Sequence, residues 1–348
     1  MTDGTSKARV AAPHLSIVVP CFNEEESIPG LLDALDRVLP ELGGPEAVEI
    51  VLVDDGSTDG TWAALAAAAA ARPHLRPVRL RRNFGQTAAL ACGIDHARGE
   101  VLVTLDADMQ NDPADIPALL ARLEGAAGEP PCDVVSGWRR DRKDGLLRRL
   151  PSSLANRLIS RVSGVSLHDY GCTLKAYRRW VFEGGKLYGE MHRFIPIYAH
   201  WAGGKVVEKE VRHHARRHGV SKYGLGRTTN VMLDLLTVTF LGGYSTKPSY
   251  FFGKPGLALC GAGLVSAAAF VVQFVTRRVW VQPQTLSLLA VFLFTLGILF
   301  LLLGLLAELQ IRTYHEAQGK KTYLVAETRN DPSSPESTDV RDRGHPSP

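Results

Sequence analysis

The sequence predicts an α/β protein on a doubly wound, mostly parallel sheet, attached to a membrane by a helical hairpin. Three observations predict this: short β-branched apolar runs, helical patterns between them, and two long uncharged stretches near the C-terminus. The runs LSIVV (15–19), EIVLV (49–53), VLVTL (101–105) and DVVS (133–136) are continuous rather than alternating. Strands covered on both faces read this way. Alternation of such strands with helices at this spacing builds βαβ units and a parallel sheet.

Taken in order, residues 1–14 are small and polar and are expected to be disordered, with no signal-peptide pattern in MTDGTSKARVAAPH. The α/β domain spans 15–227. Within Glu24–Leu39 the apolar positions Ile28, Leu31, Leu32, Leu35, Val38 and Leu39 recur at three- and four-residue spacing, the stripe of an amphipathic helix. TWAALAAAAAA after Asp59 is strong helix former throughout. GEMHRFIPIY (189–198) and GKVVEKEVRHH (204–214) read as a further helix and strand. Residues 228–254 carry an apolar stripe with Tyr244, Tyr250, Phe251 and Phe252 as interfacial anchors; a packed core helix has the same pattern. Leu257–Val275 and Thr285–Ala307 contain no charged residue, and each is long enough to cross a bilayer, which takes roughly 20 residues. The expected spans are 255–276 and 285–307, followed by a juxtamembrane segment at 308–326 and a tail at 327–348 that is disordered by composition.

The chain has 348 residues, 22% charged and 45% hydrophobic, with a formal net charge of +4. Its basic residues are clustered. Gly137–Arg161 holds eight Lys/Arg against two Asp, and Lys209–Arg227 is similarly biased. Such runs are usually solvated faces, but beside a membrane they also meet anionic headgroups. They lack the aromatic interleaving and the modules of nucleic-acid binders. Arg277 and Arg278 in the short loop between the spans compete with Lys247, Lys254, Arg312, Lys320 and Lys321 outside it. The balance favours a cytoplasmic catalytic domain on the cell (inner) membrane. Five cysteines with no C-x-x-C pair suit a reducing compartment and give no metal signal.

In a doubly wound sheet, ligands bind outside the carboxyl ends of the strands. Here PCFNEEE, DDGSTDG and DADMQND follow three strands and bring acids and amides to one edge. Asp59 and Asp112 are alternatively helix N-caps. Asp106 and Asp108 stand two apart, and strand alternation would point both to one side. With the amide oxygen of Gln110 they suit a hard divalent cation, Mg2+ or Mn2+.

IVVPCFNEEESI, VLVDDGSTDGT, RRNFGQTAAL, LDADMQNDP, DYGCTLKAYRR, MHRFIP and RRHGVSKYG together resemble family-two glycosyltransferases of the GT-A fold. They are most similar to the polyisoprenyl-phosphate branch, which includes dolichol-phosphate mannose synthases and bacterial undecaprenyl-phosphate glycosyltransferases. The resemblance covers about residues 14–325. It implies a nucleoside pocket of Pro20, Phe22, Glu24 and Asp54, with Asp55 beside it. It puts Asp106 near the donor ribose and sugar, and makes Asp108 and Gln110 metal ligands. Arg139, Arg149 and Ser153 match the lipid-phosphate site. Arg216, Ser221 and Lys222 match a cap over the diphosphates, and Arg193 is a further candidate. His192 and the histidines at 213, 214 and 218 read as structural or solvated.

The implied reaction moves a sugar from a nucleotide-diphosphate sugar (UDP preferred, GDP-mannose the other option) to a polyisoprenyl phosphate, with inversion. A phosphate monoester is already charged near neutral pH, about −1.5 to −2, so no general base is required. Two alternatives share these features. A processive polysaccharide synthase would carry Q-x-x-R-W, but Ala176 stands where its Gln would be in AYRRW. An inactive membrane-anchored binding module would have lost part of the set Asp106, Asp108, Gln110 and Arg216, which is intact here. The interfacial helices and anchor would also serve a homo-oligomer contact.

Overall fold

A computed structural model describes residues 13–125, 128–140, 159–160, 163–183, 191–214 and 322–331, with isolated helical positions between 288 and 313. The chain divides into two units, Met1–Gly224 with Thr322–Pro348, and Leu225–Lys321.

The first unit is organised by eight strands: β1 (Leu15–Cys21), β2 (Val48–Asp54), β3 (Leu75–Leu80), β4 (Val101–Thr104), β5 (Val134–Trp138), β6 (Lys175–Arg178), β7 (Val206–Glu210) and β8 (Val325–Thr328). They form one sheet in the order β7-β5-β6-β4-β1-β2-β3-β8. β1 pairs in parallel with β2 and β4, β2 with β3, and β5 with β7. β6 runs antiparallel between β4 and β5, and β8 antiparallel along β3. The sheet is therefore mostly parallel, as the sequence predicts.

Helices α1 (Ile28–Val38), α2 (Thr61–Ala71), α3 (Gln86–His96), α4 (Ile116–Glu124) and α5 (Ile195–Trp201) cover both faces. Ile28, Leu31 and Leu35 of α1, Leu65 of α2, and Ile116, Leu119 and Leu123 of α4 pack on one face against Ile17, Ile50 and Val103. Leu90 and Ile94 of α3 with Ile195 of α5 pack on the other, against Val18, Leu102 and Tyr177. Every residue of β2 is buried, which explains why its run is continuously apolar. α2 has no apolar stripe; its buried positions Thr61, Leu65 and Ala69 simply recur every four residues.

β2 also buries two acids, Asp54 at its carboxyl end and Glu49 near its amino end, the latter 1% exposed. Ser16 Oγ and Arg76 Nη1 donate to the two carboxylate oxygens of Glu49 at 2.6 and 2.7 Å, and Arg98 Nε adds a bond at 3.1 Å. This network lies near the amino ends of the strands, away from the edge where the acids collect. Burial works against the charge of Glu49, but hydrogen bonds from Ser16, the Arg98 amide and Arg76 outweigh it and hold its pKa below the ordinary value.

Two expectations are corrected. β4 ends at Thr104, so Asp106 and Asp108 lie in a turn and strand alternation does not bring them together. The tail expected to be disordered from Glu327 starts inside β8: Arg79 pairs with Glu327 and Val78 with Thr328. The segment is anchored on both sides. Tyr323 Oη donates to Asp95 at 2.6 Å, Asn330 Nδ2 donates to the Leu75 carbonyl at 2.8 Å, and Asp331 accepts from Arg76 at 3.1 Å. Polar composition did not reveal an edge strand because such a strand is half solvated.

The second unit is described only at helical positions. Among them Leu288, Val291, Phe292, Leu299 and Leu306 are more than half exposed large apolar residues, and they recur at helical spacing. Among the described residues no helix is long and apolar enough to cross a membrane. The expected span at 255–276, most of that at 285–307, and the interfacial helices at 228–254 lie outside the described residues.

Candidate active site

The loops after β1 and β2 are tied together by backbone-to-side-chain bonds. The Asn23 amide donates to Ser57 Oγ at 2.9 Å, Thr58 N donates to Asn23 Oδ1 at 2.9 Å, and Glu24 N donates to Thr61 Oγ1 at 2.9 Å. Asn23 has φ +52°, a left-handed conformation that Asn tolerates better than most residues. Gly56 sits where an added Cβ would lie 2.4 Å from the Arg82 backbone carbon, so the DDGS turn requires glycine. Pro20, Phe22, Glu24 and Asp54 are thereby gathered at one sheet edge.

The two acids of that turn have different surroundings. Asp54 is fully buried; Oδ1 accepts from Ser57 N at 3.0 Å, and Oδ2 is buried with no hydrogen-bond partner. Arg79 Nε stands 3.5 Å from Oδ2. This carboxylate oxygen has capacity for a ligand donor. Asp55 instead accepts from Phe84 N and Gly85 N at 2.7 and 2.9 Å. Both its oxygens order the loop that launches α3, a task the sequence did not suggest.

Asp106 follows β4 and accepts from Gln86 Nε2, at the start of α3, at 2.8 Å. Burial first, then the charge of Asp108, push its carboxyl up to about 6, against hydrogen bonding from Thr173 and the charge of Arg139. Asp108 Oδ1 accepts from Gln110 N at 3.1 Å across Met109, whose φ is +59°. A non-glycine residue held left-handed costs of order 1–3 kcal/mol and persists where surroundings enforce it. The turn is held by Asn111, which donates to Thr173 Oγ1 at 3.0 Å, and by His214, whose amide donates to the Gln110 carbonyl at 2.8 Å. Asp112 accepts from Ala114 N at 3.0 Å and caps a short 3-10 turn, and Asp59 accepts from Thr61 N at 3.0 Å at the start of α2. Asp112 matches the capping alternative, whereas the N-cap of α2 is Gly60 and Asp59 stands one residue before it.

Among the described residues no three His, Cys, Asp or Glu side chains cluster as a metal cage. Mg2+ does not need one, because it commonly shares one or two carboxylates with substrate phosphates. Two acids close enough to raise the Asp106 pKa, on a turn with the hard oxygen donors of Asp108 and Gln110, fit such a cation.

Arg139, at the end of β5, forms a double ion pair with Asp169: Nε at 2.7 Å and Nη2 at 3.1 Å. Burial opposes its charge, but Asp169 outweighs burial and keeps the guanidinium protonated. A phosphate would therefore meet an arginine already oriented through two of its nitrogens. Arg149, Ser153, Arg216, Ser221 and Lys222 lie outside the described residues.

A cleft opens between these elements, and its wall includes Pro20, Gln86, Asp106, Lys175, His192 and Arg193. Sequence reasoning missed Gln86 and Lys175, although both lie in quoted motifs, NFGQT and TLKAY. His192, expected from sequence to be structural, has its Nδ1 2.7 Å from Thr87 Oγ1 and forms part of the cleft wall.

The chain matches the glycosyl transferase family 2 model over residues 16–185. It is 42% identical to the dodecaprenyl-phosphate galacturonate synthase of Rhizobium johnstonii over 93% of this chain and 95% of that protein. The chain belongs to glycosyltransferase family 2, and it is an enzyme of that family. Within the family its relatives are named for polyprenyl-phosphate sugar transfer: the undecaprenyl-phosphate 4-deoxy-4-formamido-L-arabinose transferase of Aeromonas hydrophila is 35% identical over 89% of this chain and 92% of that protein. Among solved structures, glucosyl-3-phosphoglycerate synthase from Mycobacterium tuberculosis, in complex with Mn2+, UDP and phosphoglyceric acid, superposes with a TM-score of 0.49 at 19% identity. It covers 65% of this chain and 78% of that one.

Proposed function

We propose that the protein transfers a sugar from a nucleotide-diphosphate sugar to a polyisoprenyl phosphate at the membrane, giving a lipid-linked monophosphate sugar for envelope-glycan assembly or protein glycosylation. The observation that carries this reading is the Asp106–Gln110 turn at the carboxyl edge of the sheet, the same edge at which Asp54 ends β2. The near full-length likeness to polyprenyl-phosphate transferases supports the acceptor.

Asp54, with Pro20, Phe22 and Glu24, binds the nucleoside. Asp106, held by Gln86, orients the donor ribose and sugar. Arg139, Arg149 and Ser153 hold the acceptor phosphate, and Arg216 and Lys222 close over the diphosphate. An acceptor phosphate oxygen forms the new bond to the anomeric carbon as the bond to the nucleoside diphosphate breaks, and the electron pair leaves with the diphosphate. Positioning and fixed charge do the catalysis. Asp108 and Gln110 would hold Mg2+ or Mn2+, which supplies neutralisation of the diphosphate charge that develops.

The topology of the first unit supports an even number of membrane crossings. Residues 322–331 return to the sheet that residues 15–80 begin, so a chain that leaves for a bilayer must come back on the same side. The exposed apolar positions between 288 and 306 suit a lipid-facing helix, and the catalytic domain is assigned to the cytoplasmic side of the cell membrane.

The test is an incubation of the full-length protein with radiolabelled nucleotide sugars, a polyprenyl phosphate and Mg2+ or Mn2+. Label moving into a chloroform-soluble product supports the reading; sugar released into polymer, or donor binding without turnover, overturns it. In the same assay Arg149→Ala should raise the KM for lipid phosphate about tenfold or more, and unchanged lipid kinetics would remove Arg149 from the acceptor site. The relatives differ over the sugar, galacturonate in one and formamido-arabinose in the other.

A further inference from the structure

The cleft wall contains a buried cation, Lys175, to which the proposed transfer assigns no role. Lys175, at the start of β6, is in register with Thr104 of β4 and Ser136 of β5. Directly opposed residues on antiparallel strands share a face, so all three side chains stand on the side covered by α3 and α5. Lys175 is 2% exposed and lines the cleft together with Asp106 and Arg193. Its ammonium donates to the Tyr170 carbonyl at 3.2 Å, and among the described residues it has no ion pair. The nearby carboxylate of Asp169 is bound to Arg139. Beside it, the Ser136 hydroxyl is buried with no hydrogen-bond partner.

A buried ammonium with three donors and one neutral acceptor is costly, and a core position in a sheet would hold Leu or Met at less cost. Burial, the largest influence, pushes the Lys175 pKa down to about 8, against the charges of Cys172 and Asp169. The group nevertheless remains mostly charged at neutral pH. A neutral hexose entering beside Asp106 would leave this charge unanswered, whereas a carboxylate on the sugar would meet it.

We propose that Lys175 recognises a carboxylate on the transferred sugar, so that the donor is a nucleotide-diphosphate hexuronic acid. This rests on the reading of the protein as a nucleotide-sugar transferase, and deepens it by naming the substrate class. Lys175 is then a specificity residue: it contacts the substituent at the far end of the sugar ring and takes no part in the bond exchange.

The experiment compares matched donor pairs with the full-length enzyme and a polyprenyl phosphate: UDP-glucuronic acid with UDP-glucose, UDP-galacturonic acid with UDP-galactose, and GDP-mannuronic acid with GDP-mannose. The acid member of at least one pair should win by about 10²-fold in kcat/KM, the scale of a buried charge pair. Lys175→Met should erase that preference by lowering kcat/KM for the acid donor about 10²-fold, and should raise Tm, because it removes a buried charge. A wild-type preference for neutral sugars overturns the proposal while leaving sugar transfer standing. So does a Lys175→Met enzyme that keeps the preference, or one that loses Tm and all activity together. Absence of lipid-linked product from every donor would instead overturn the transferase reading itself.

Discussion

Adjacent aspartates in this chain do different work, and the difference lies in what their oxygens touch. Asp55 spends both oxygens on the Phe84 and Gly85 amides, so Asp55→Ala leaves two donors unmet in a site 3% exposed. It should lower stability by about 1–3 kcal/mol in a denaturant titration, with activity falling in proportion to unfolding. Asp108→Ala removes a hard oxygen ligand but little packing. It should reduce turnover by at least about 10²-fold with Tm nearly unchanged, and added Mn2+ should no longer shift its melting curve. The charge of Lys175 gives a pH signature. It faces Asp169, Arg139, Arg193 and Cys172 and shares the cleft wall with Asp106 and His192; with a pKa near 8, it loses its proton as pH rises through that value. The KM for a hexuronate donor should therefore climb above about pH 8, and the Lys175→Met enzyme should lack that rise. The DADMQ acids were legible because they stand close together in the chain, directly after a strand. Gln86 and Lys175 were not, since Gln86 reaches Asp106 from the start of α3 and Lys175 reaches the cleft through the register of β6 against β4 and β5.

At the scale of elements, the apolar runs foretold β1, β2, β4 and β5, and the stripe from Ile28 foretold α1. β3 passed unread because Arg76, Pro77 and Arg79 interrupt its run; Arg76 is tolerated inside because Glu49 and Asp331 meet its guanidinium. β6 and β8 are short and antiparallel, and only pairing with a neighbour defines them. The buried network that β2 and β3 share also sets an acid limit. The folded-state pKa of Glu49 is depressed, so its contribution to stability is present above the unfolded carboxylate pKa and fades as pH falls through the folded value. Glu49→Gln should cost about 3 kcal/mol at neutral pH, since Arg76 and Arg98 lose the charge that answers them. The gap between variant and wild type should shrink in denaturant titrations run at progressively lower pH.

At the scale of the whole molecule, the sheet separates two jobs. The amino ends of its strands carry the Ser16–Glu49–Arg76 network, and the carboxyl ends carry the site, as expected for open α/β sheets. β8 adds a topological consequence, because residues 322–331 belong to the same unit as residues 15–210. In intact cells an impermeant maleimide should label Val281→Cys, in the loop between the expected spans, whereas Leu324→Cys, 61% exposed at the domain surface, should react only after permeabilisation. Equal labelling of both would overturn the hairpin. The sequence by itself determined the fold class and the sheet edge where acids and amides collect, because periodicity and strand-end composition are written in consecutive residues. Only the tertiary structure decided that Asp55 builds a loop while Asp54 is buried against Arg79, that the residues after the apolar segment add an edge strand to the sheet, and that Lys175 lines the same cleft as Asp106. Those outcomes depend on which strands lie side by side and in what register, and no stretch of neighbouring residues encodes that alone.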